Sequence, residues 1–230
     1  ARLGEGFSAQ QQFTGNAAHE LRTPLALMQA QIELFVSEHP ASQPDTAELL
    51  GLLQEQTERM SRMIKVLLEM SKLHSVPCED AVELGPLSEE VLADLAPLAE
   101  NKGVTLDCAG DALTIGSDTL LYQLVFNLVE NAIRYSHPGS TVNVSICDTD
   151  SHVFLRVKDQ GPGIPKQHRE SIFQPFFRLD KSRSRAYGGA GLGLALVWEI
   201  AALHGGTAEV EASSENGTTM LVSFPKRIPA

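Results

Sequence analysis

Three groups of residues in this sequence have the types and spacings that chemistry requires. The first is His19 Glu20 Leu21 Arg22 Thr23 Pro24. A neutral imidazole nitrogen can attack a phosphorus centre, and an unperturbed histidine, titrating at about 6.5, is mostly neutral at cytoplasmic pH. Glu20 beside it can orient the ring or accept the proton of the other ring nitrogen. Thr23, four residues on, lies on the same face of a helix. The second group is Asn127, Asn131 and Arg134, spaced by four and three so that two amides and a guanidinium share one helix face. Amide oxygen, phosphate and water together make a reasonable magnesium shell, and Arg134 suits a phosphate. The third is a pair of glycine turns. Asp159 Gln160 Gly161 Pro162 Gly163 admits a flat ligand close to the backbone, with Asp159 able to accept from an exocyclic amine such as that of adenine. Gly188 Gly189 Ala190 Gly191 Leu192 Gly193 opens a helix, whose free amides face anions. Read alone, each group has an ordinary alternative: an exposed histidine, a solvated polar stripe, a plain turn.

These residues need elements to hold them. Leu21, Leu25, Met28, Ile32 and Phe35 step by four and three and predict a long helix over about residues 6–37. Pro24 inside it removes a donor to the carbonyl of Glu20, so the helix should kink or loosen next to His19. Pro40 and Pro44 break the pattern, and Asp45 with Glu48 resembles a capping box. A second seam then runs through Leu49, Leu53, Gln56, Met60, Met63, Leu67 and Met70. The two make an antiparallel helical hairpin. Leu27, Leu34, Ile64 and Leu68 lie beside the seams, a face too wide for one partner helix, so two hairpins pairing into a four-helix bundle are expected. An intramolecular coiled coil that merely spaces two domains is the other reading.

After residue 84 the texture changes. Strands are predicted at 104–108, 113–115, 142–147, 153–159, 207–211 and 220–224, and helices at 88–101, 117–135 and 191–204, an α/β sandwich with helices on one face of a mixed sheet. The chain thus divides into a helical hairpin over 1–76, a linker over 77–83 and an α/β domain over 84–230. Between the glycine turns, the stretch through Phe173, Phe176, Phe177 and Arg178 to Gly189 has no regular pattern and reads as a lid. One of Arg178, Lys181, Arg183 and Arg185 would reach a terminal phosphate. Phe173 and Phe176 read either as ordinary core or as residues of that lid.

At 230 residues and 43% hydrophobic composition the chain can bury one or two cores. Its formal net charge of −11 argues against a surface for nucleic acid or anionic lipid and favours a protein or nucleotide partner. Cys78, Cys108 and Cys147 lack metal or disulfide spacing, which points to a reducing compartment. His39, His74, His137, His152, His168 and His204 match no metal spacing and read as surface or packing residues. No apolar run is long enough to span a bilayer, and a start at Ala1 without methionine reads as a fragment of a longer protein.

The string Phe13 Thr14 Gly15 Asn16 Ala17 Ala18 His19 Glu20 Leu21 Arg22 Thr23 Pro24 Leu25 Ala26 Leu27 Met28 resembles the phosphoacceptor box of the bacterial sensor histidine kinases. The downstream groups, in this order, resemble the nucleotide pocket shared by those kinases, gyrase-type topoisomerases, certain chaperones and mismatch-repair ATPases (GHKL type). The resemblance implies that His19 is phosphorylated from ATP, that Glu20 assists as acid or base, and that Thr23 positions water when the domain dephosphorylates its partner. It implies that Asn131 binds Mg2+, with Asn127 by the phosphates or on the metal, and that Arg134 and Tyr135 line the pocket. Asp159 would hold the adenine amine. Gly161, Gly163, Gly189, Gly191, Leu192 and Gly193, with Phe176 and Arg178, would complete the adenine loop, phosphate loop and lid. In the hydrolysing relatives a glutamate occupies the place of Asn127 and activates water; Asn127 has no basic group, so transfer rather than hydrolysis is expected. Ala190 departs from the Ser or Thr of many kinases, which removes one hydroxyl contact to phosphate. The partners implied are a response regulator and a second copy of the chain, with no nucleic acid. The chain itself would be a cytoplasmic fragment, tied to the bacterial inner membrane only through a sensor region not contained in it. Phosphoryl transfer within one chain and across the dimer both remain open.

Overall fold

The computed structural model describes residues 25, 26, 28–35, 37, 50, 51, 53, 54, 57, 60, 61, 64, 73–179 and 191–226. His19, Glu20, Thr23, Pro24, the seam residues Leu21, Leu49, Gln56, Met63, Leu67 and Met70, the pair Asp45 and Glu48, and Lys181, Arg183, Arg185, Gly188, Gly189 and Ala190 lie outside them. The described residues fall into two compact units that divide at Leu73.

In the first unit the described residues are helical. Leu25 and Ile64 are buried, and Ser61 donates to Gln29 Oε1 at 3.4 Å between the two helical stretches. Met28, Leu34, Leu53 and Met60 nonetheless stand 44–56% exposed. Large apolar side chains at helical spacing are rarely left to water in such numbers on one hairpin.

The second unit is an α/β sandwich. Its main sheet runs β2 (Thr105–Ala109), β4 (Thr141–Asp148), β5 (His152–Lys158), β7 (Gly217–Pro225), β6 (Thr207–Ser214), with β2 parallel to β4 and the other pairs antiparallel. Strand alternation explains its two faces: Val142, Val144 and Ile146, Val153, Leu155 and Val157, then Met220, Val222 and Phe224 are buried, with more exposed neighbours between most of them. Each such side chain contributes roughly 1.5–3 kcal/mol on burial. Three helices pack on the sheet. They are α1 (Leu84–Lys102) near β2, α2 (Asp118–Tyr135) over β4 and β5, and α3 (Gly193–Leu203) against β6 and β7. The stripe Leu121, Leu124, Val125, Leu128, Val129, Ala132 and Ile133 buries one side of α2 and leaves its polar residues at the edge.

Two features differ from the sequence expectation. Residues 80–83, read as linker, form β1 (Asp80–Glu83), which pairs antiparallel with β3 (Leu113–Gly116). Four residues with a single buried side chain, Val82, give too little alternation to read locally; the pairing comes from a strand thirty residues away. Helix α1 starts at Leu84 rather than near Ser88, because Asp111 Oδ1 accepts from the Gly85 N–H at 2.7 Å and Leu84 N donates to Ala112 O at 3.0 Å. A carboxylate from another element thus caps the first turn. Among the described residues no helix is long and apolar enough to cross a membrane.

Candidate functional site

Helix α2 is the spine of the site. Ser117 precedes its first turn, and its buried stripe turns Asn127 and Asn131 toward the start of α3. Asn127 Nδ2 donates to Gln123 O at 2.7 Å, so its amide nitrogen is committed to its own helix. Its Oδ1 faces Gly193: a Cβ there would lie 2.8 Å from Asn127 Oδ1 and 3.6 Å from Asn131 Nδ2. The first N–H groups of α3, which have no partner within the helix, therefore begin beside two amides of α2.

Arg134 is directed elsewhere. Its Nη2 lies 2.7 Å from Glu130 Oε1, one turn back on the same helix, and its carbonyl accepts from Lys102 Nζ. Burial, then the Arg134 charge, holds the Lys102 ammonium below the usual lysine range. Asn127 and Asn131 thus meet at Gly193 while Arg134 pairs with a carboxylate.

At the far end of α2, the Asp159 turn packs under Tyr135. A Cβ on Gly161 would sit 2.8 Å from Tyr135 O, and Gln160 N reaches Ser136 Oγ at 3.4 Å. Asp159 is 9% exposed. Its Oδ1 accepts from Gly161 N at 2.8 Å and from Thr218 N at 3.2 Å. Burial pushes its carboxyl above the usual aspartate range, and these two N–H donors offset part of that. Gly163, at φ 75°, faces Ser214 O so closely that a Cβ would lie 2.0 Å away. Ile164 N donates to Ser213 Oγ at 2.7 Å, Ser213 Oγ bonds Thr218 Oγ1 at 3.0 Å, and Arg169 Nη2 donates to Ser213 O at 2.7 Å. The glycine turn is therefore tied to the β6–β7 connection by backbone and hydroxyl bonds.

The described part of the lid rests on the start of α3. Phe176, with φ 65° and half its surface exposed, donates its N–H to Gly191 O at 2.8 Å. Gly191 is itself at φ 72°, and a Cβ there would meet Phe177 O at 2.8 Å and Arg178 Cγ at 3.2 Å. Phe176 is thus not a core residue. Leu192 is buried at 1%, so its side chain is core and only its backbone is near the site.

Sequence reasoning missed Ser213, Thr218, Gln160 and Arg169 around the Asp159 turn. The Asn216 Gly217 dipeptide carried a signal, as a hairpin turn between two strands; in the structure Gly217 has φ 137° and a Cβ on it would lie 2.1 Å from Asp159 O. Among the described residues no cluster of His, Cys, Asp and Glu could hold a metal ion, so any cation here would rest on amide oxygens and a ligand. The donor set fits a nucleotide with such a cation: a buried carboxylate with Oδ2 beyond its two bonded donors at one end, two amides beside a helix start at the other.

Comparison with known proteins places both units. The family "His Kinase A (phospho-acceptor) domain" matches residues 9–76, and "Histidine kinase-, DNA gyrase B-, and HSP90-like ATPase" matches residues 116–228. The chain is 34% identical over 225 residues to the sensor-like histidine kinase SenX3 of Mycolicibacterium smegmatis; the match covers 95% of this chain, and the chain spans 58% of that protein's length. The solved structure of the mycobacterial sensor histidine kinase MprB is similar at a TM-score of 0.56 and 30% identity, over 65% of this chain and 98% of that one. Full-length ShkA in complex with AMPPNP shares the fold at a TM-score of 0.70 and 22% identity, over 95% of this chain and 47% of its own.

Proposed function

This chain belongs to the sensor histidine kinases, and we propose from that premise that it phosphorylates its own His19 with ATP and passes the phosphoryl group to an aspartate of a response regulator. The observation that carries the reading is the double use of α2: its middle brings Asn127 and Asn131 to the start of α3 at Gly193, and its end lies over the buried Asp159 turn. Eight residues of helix separate Asn127 from Tyr135, ~12 Å of rise, a span that an extended nucleotide bridges.

In this reading Asp159 Oδ2 accepts the exocyclic amine of adenine, and Oδ1 is held by Gly161 and Thr218. The phosphates lie at the start of α3, where unpaired N–H groups and the helix dipole favour anions. Gly191 and the backbone of Leu192 and Gly193 form that loop, and Arg178 lies beside it. Asn131, with Asn127, would hold Mg2+, which supplies positive charge to the phosphate oxygens. Asn127 carries no basic group, so no residue at that position activates water. The His19 ring nitrogen forms the bond to the γ-phosphorus as the bond to the β,γ-bridging oxygen breaks and ADP leaves. Glu20 takes the ring proton. In-line attack requires the nitrogen within about 3–3.5 Å of phosphorus.

Exposure of Met28, Leu34, Leu53 and Met60 supports pairing of two hairpins into a homodimeric four-helix bundle. Incubation with radiolabelled ATP and Mg2+ should yield an acid-labile, alkali-stable phosphoprotein, and Asn131→Ala should abolish it. Steady release of phosphate without phosphoprotein would replace the reading by a hydrolysing ATPase. Thr23, four residues after His19 in sequence, favours a second activity, dephosphorylation of the regulator. Equal decay of regulator phosphate with wild type and Thr23→Ala would remove it.

A further inference from the structure

His204 follows the last residue of α3 and is 1% exposed. Its Nδ1 lies 2.7 Å from Ile200 O, a group that only accepts, and its Nε2 lies 3.0 Å from Ser117 N, a group that only donates. The ring therefore carries its proton on Nδ1 and keeps a bare lone pair on Nε2. Phe224 of β7 meets it edge-on, at 5.9 Å between ring centroids and 70° between planes. Gly116 supplies the space on the other side: a Cβ there would lie 2.4 Å from His204 Cδ2 and 2.5 Å from Nε2.

Ser117 immediately precedes α2, so this bond joins the end of α3 to the start of α2. Further along α2, at its middle, Asn127 and Asn131 meet Gly193, which stands at the other end of α3. The helices thus run antiparallel, and the spans between the two contacts match: Ser117 to Asn127 rises ~15 Å, and Gly193 to His204 rises ~16.5 Å. Two contacts, one at each end of α3, define its register on α2. One end is the candidate phosphate and cation site. The other is His204.

We propose that His204 is a positioning residue: its Nε2 bond to Ser117 fixes the register of α3 on α2 and so sets the first turn of α3 at its working distance from Asn127 and Asn131. The proposal rests on the nucleotide reading given above and adds a remote residue to it. It places no demand on the Asp159 turn, which is tied instead to the β6–β7 connection. The phosphate end should therefore respond to His204 and the adenine end should not.

Mg2+–ATP and adenosine are titrated separately into wild type, His204→Phe and His204→Gln, with amide hydrogen exchange as the check on folding. Gln offers an acceptor where Nε2 stood; Phe keeps the ring and offers none. The expected result is a loss of about tenfold in Mg2+–ATP affinity for Phe, adenosine affinity within twofold, and near-complete recovery with Gln. Equal loss of both ligands, no loss, or a Gln chain as weak as Phe overturns the proposal. If the Phe chain does not fold, His204→Asn, which keeps the bond to Ile200 and drops the one from Ser117, takes its place. Long-range 1H–15N correlations of the wild-type ring test the same idea without ligand: a bare Nε2 is expected, and a proton on Nε2 overturns it. A wild-type chain that binds no ATP sinks the nucleotide reading, while the ring spectrum still decides the register bond.

Discussion

Asp159 holds its carboxylate in a nearly closed site with two backbone N–H groups on one oxygen. Burial is the larger influence on its titration, so ionised Asp159 costs the fold stability. The sign follows from linkage: the folded-state pKa is raised, so the cost is fully present above it and disappears as pH falls through it to the ordinary aspartate range. Asp159→Asn, whose amide oxygen can accept the same two bonds, should be more resistant to urea than wild type at pH 7. The gap should close in acid. ATP affinity should fall at the same time, by about tenfold or roughly 1.4 kcal/mol, because an amide nitrogen would compete for the face that the adenine amine needs. Opposite signs in stability and binding distinguish a ligand contact from a packing role. Gly193 allows a similar separation. In Gly193→Ala the new methyl meets the movable end of Asn127, 2.8 Å away, so the melting temperature should shift little while Mg2+–ATP binding drops about tenfold. Equal ATP titration curves for Gly193→Ala and wild type would place Asn127 outside the site.

At the scale of elements, α2 was legible because it is long and apolar on one side, α3 because it is a nearly continuous apolar run, and both because of punctuation: Ser117 before α2, glycines before α3. The strands with clean alternation, β5 and β7, were legible for the same reason. What escaped had its cause far away in sequence. β1 depends on β3, the start of α1 depends on Asp111, and His204 depends on Gly116 and Ser117. The spacing of Asn127, Asn131 and Arg134 predicts one helix face; the structure brings the two asparagines to Gly193, while Glu130, four residues before Arg134, takes the guanidinium. That pair was readable from helix geometry alone. The tight fit of the Asp159 turn onto the β6–β7 connection gives an element-level prediction. Gly163→Ala must accept φ 75° and a Cβ 2.0 Å from Ser214 O, and should lose upwards of about 2 kcal/mol in chemical denaturation. A loss below about 0.5 kcal/mol would mean the turn is not held there.

For the whole molecule, two units with different tasks must cooperate. In the proposed reaction the hairpin would supply the acceptor, and its exposed Met28, Leu34, Leu53 and Met60 would seat a second copy. The chain should sediment at twice 24.9 kDa, and Met60→Glu should shift it toward the monomer with its helical signal reduced. A wild-type monomer at micromolar concentration would contradict the bundle. Mixing His19→Ala with Asn131→Ala chains then reads the route of transfer: label on the mixture requires passage across the dimer, and no label assigns transfer within one chain. The central claim is that the nucleotide held by α2 and α3 delivers its phosphoryl group to one residue of the hairpin. Its most direct test is to locate the phosphoryl group after incubation of the wild-type chain with Mg2+–ATP, by mass spectrometry of peptides kept at alkaline pH. The account predicts a single phosphorylated residue, His19, and none in His19→Ala. Phosphate on another residue, or undiminished label in His19→Ala, would contradict it.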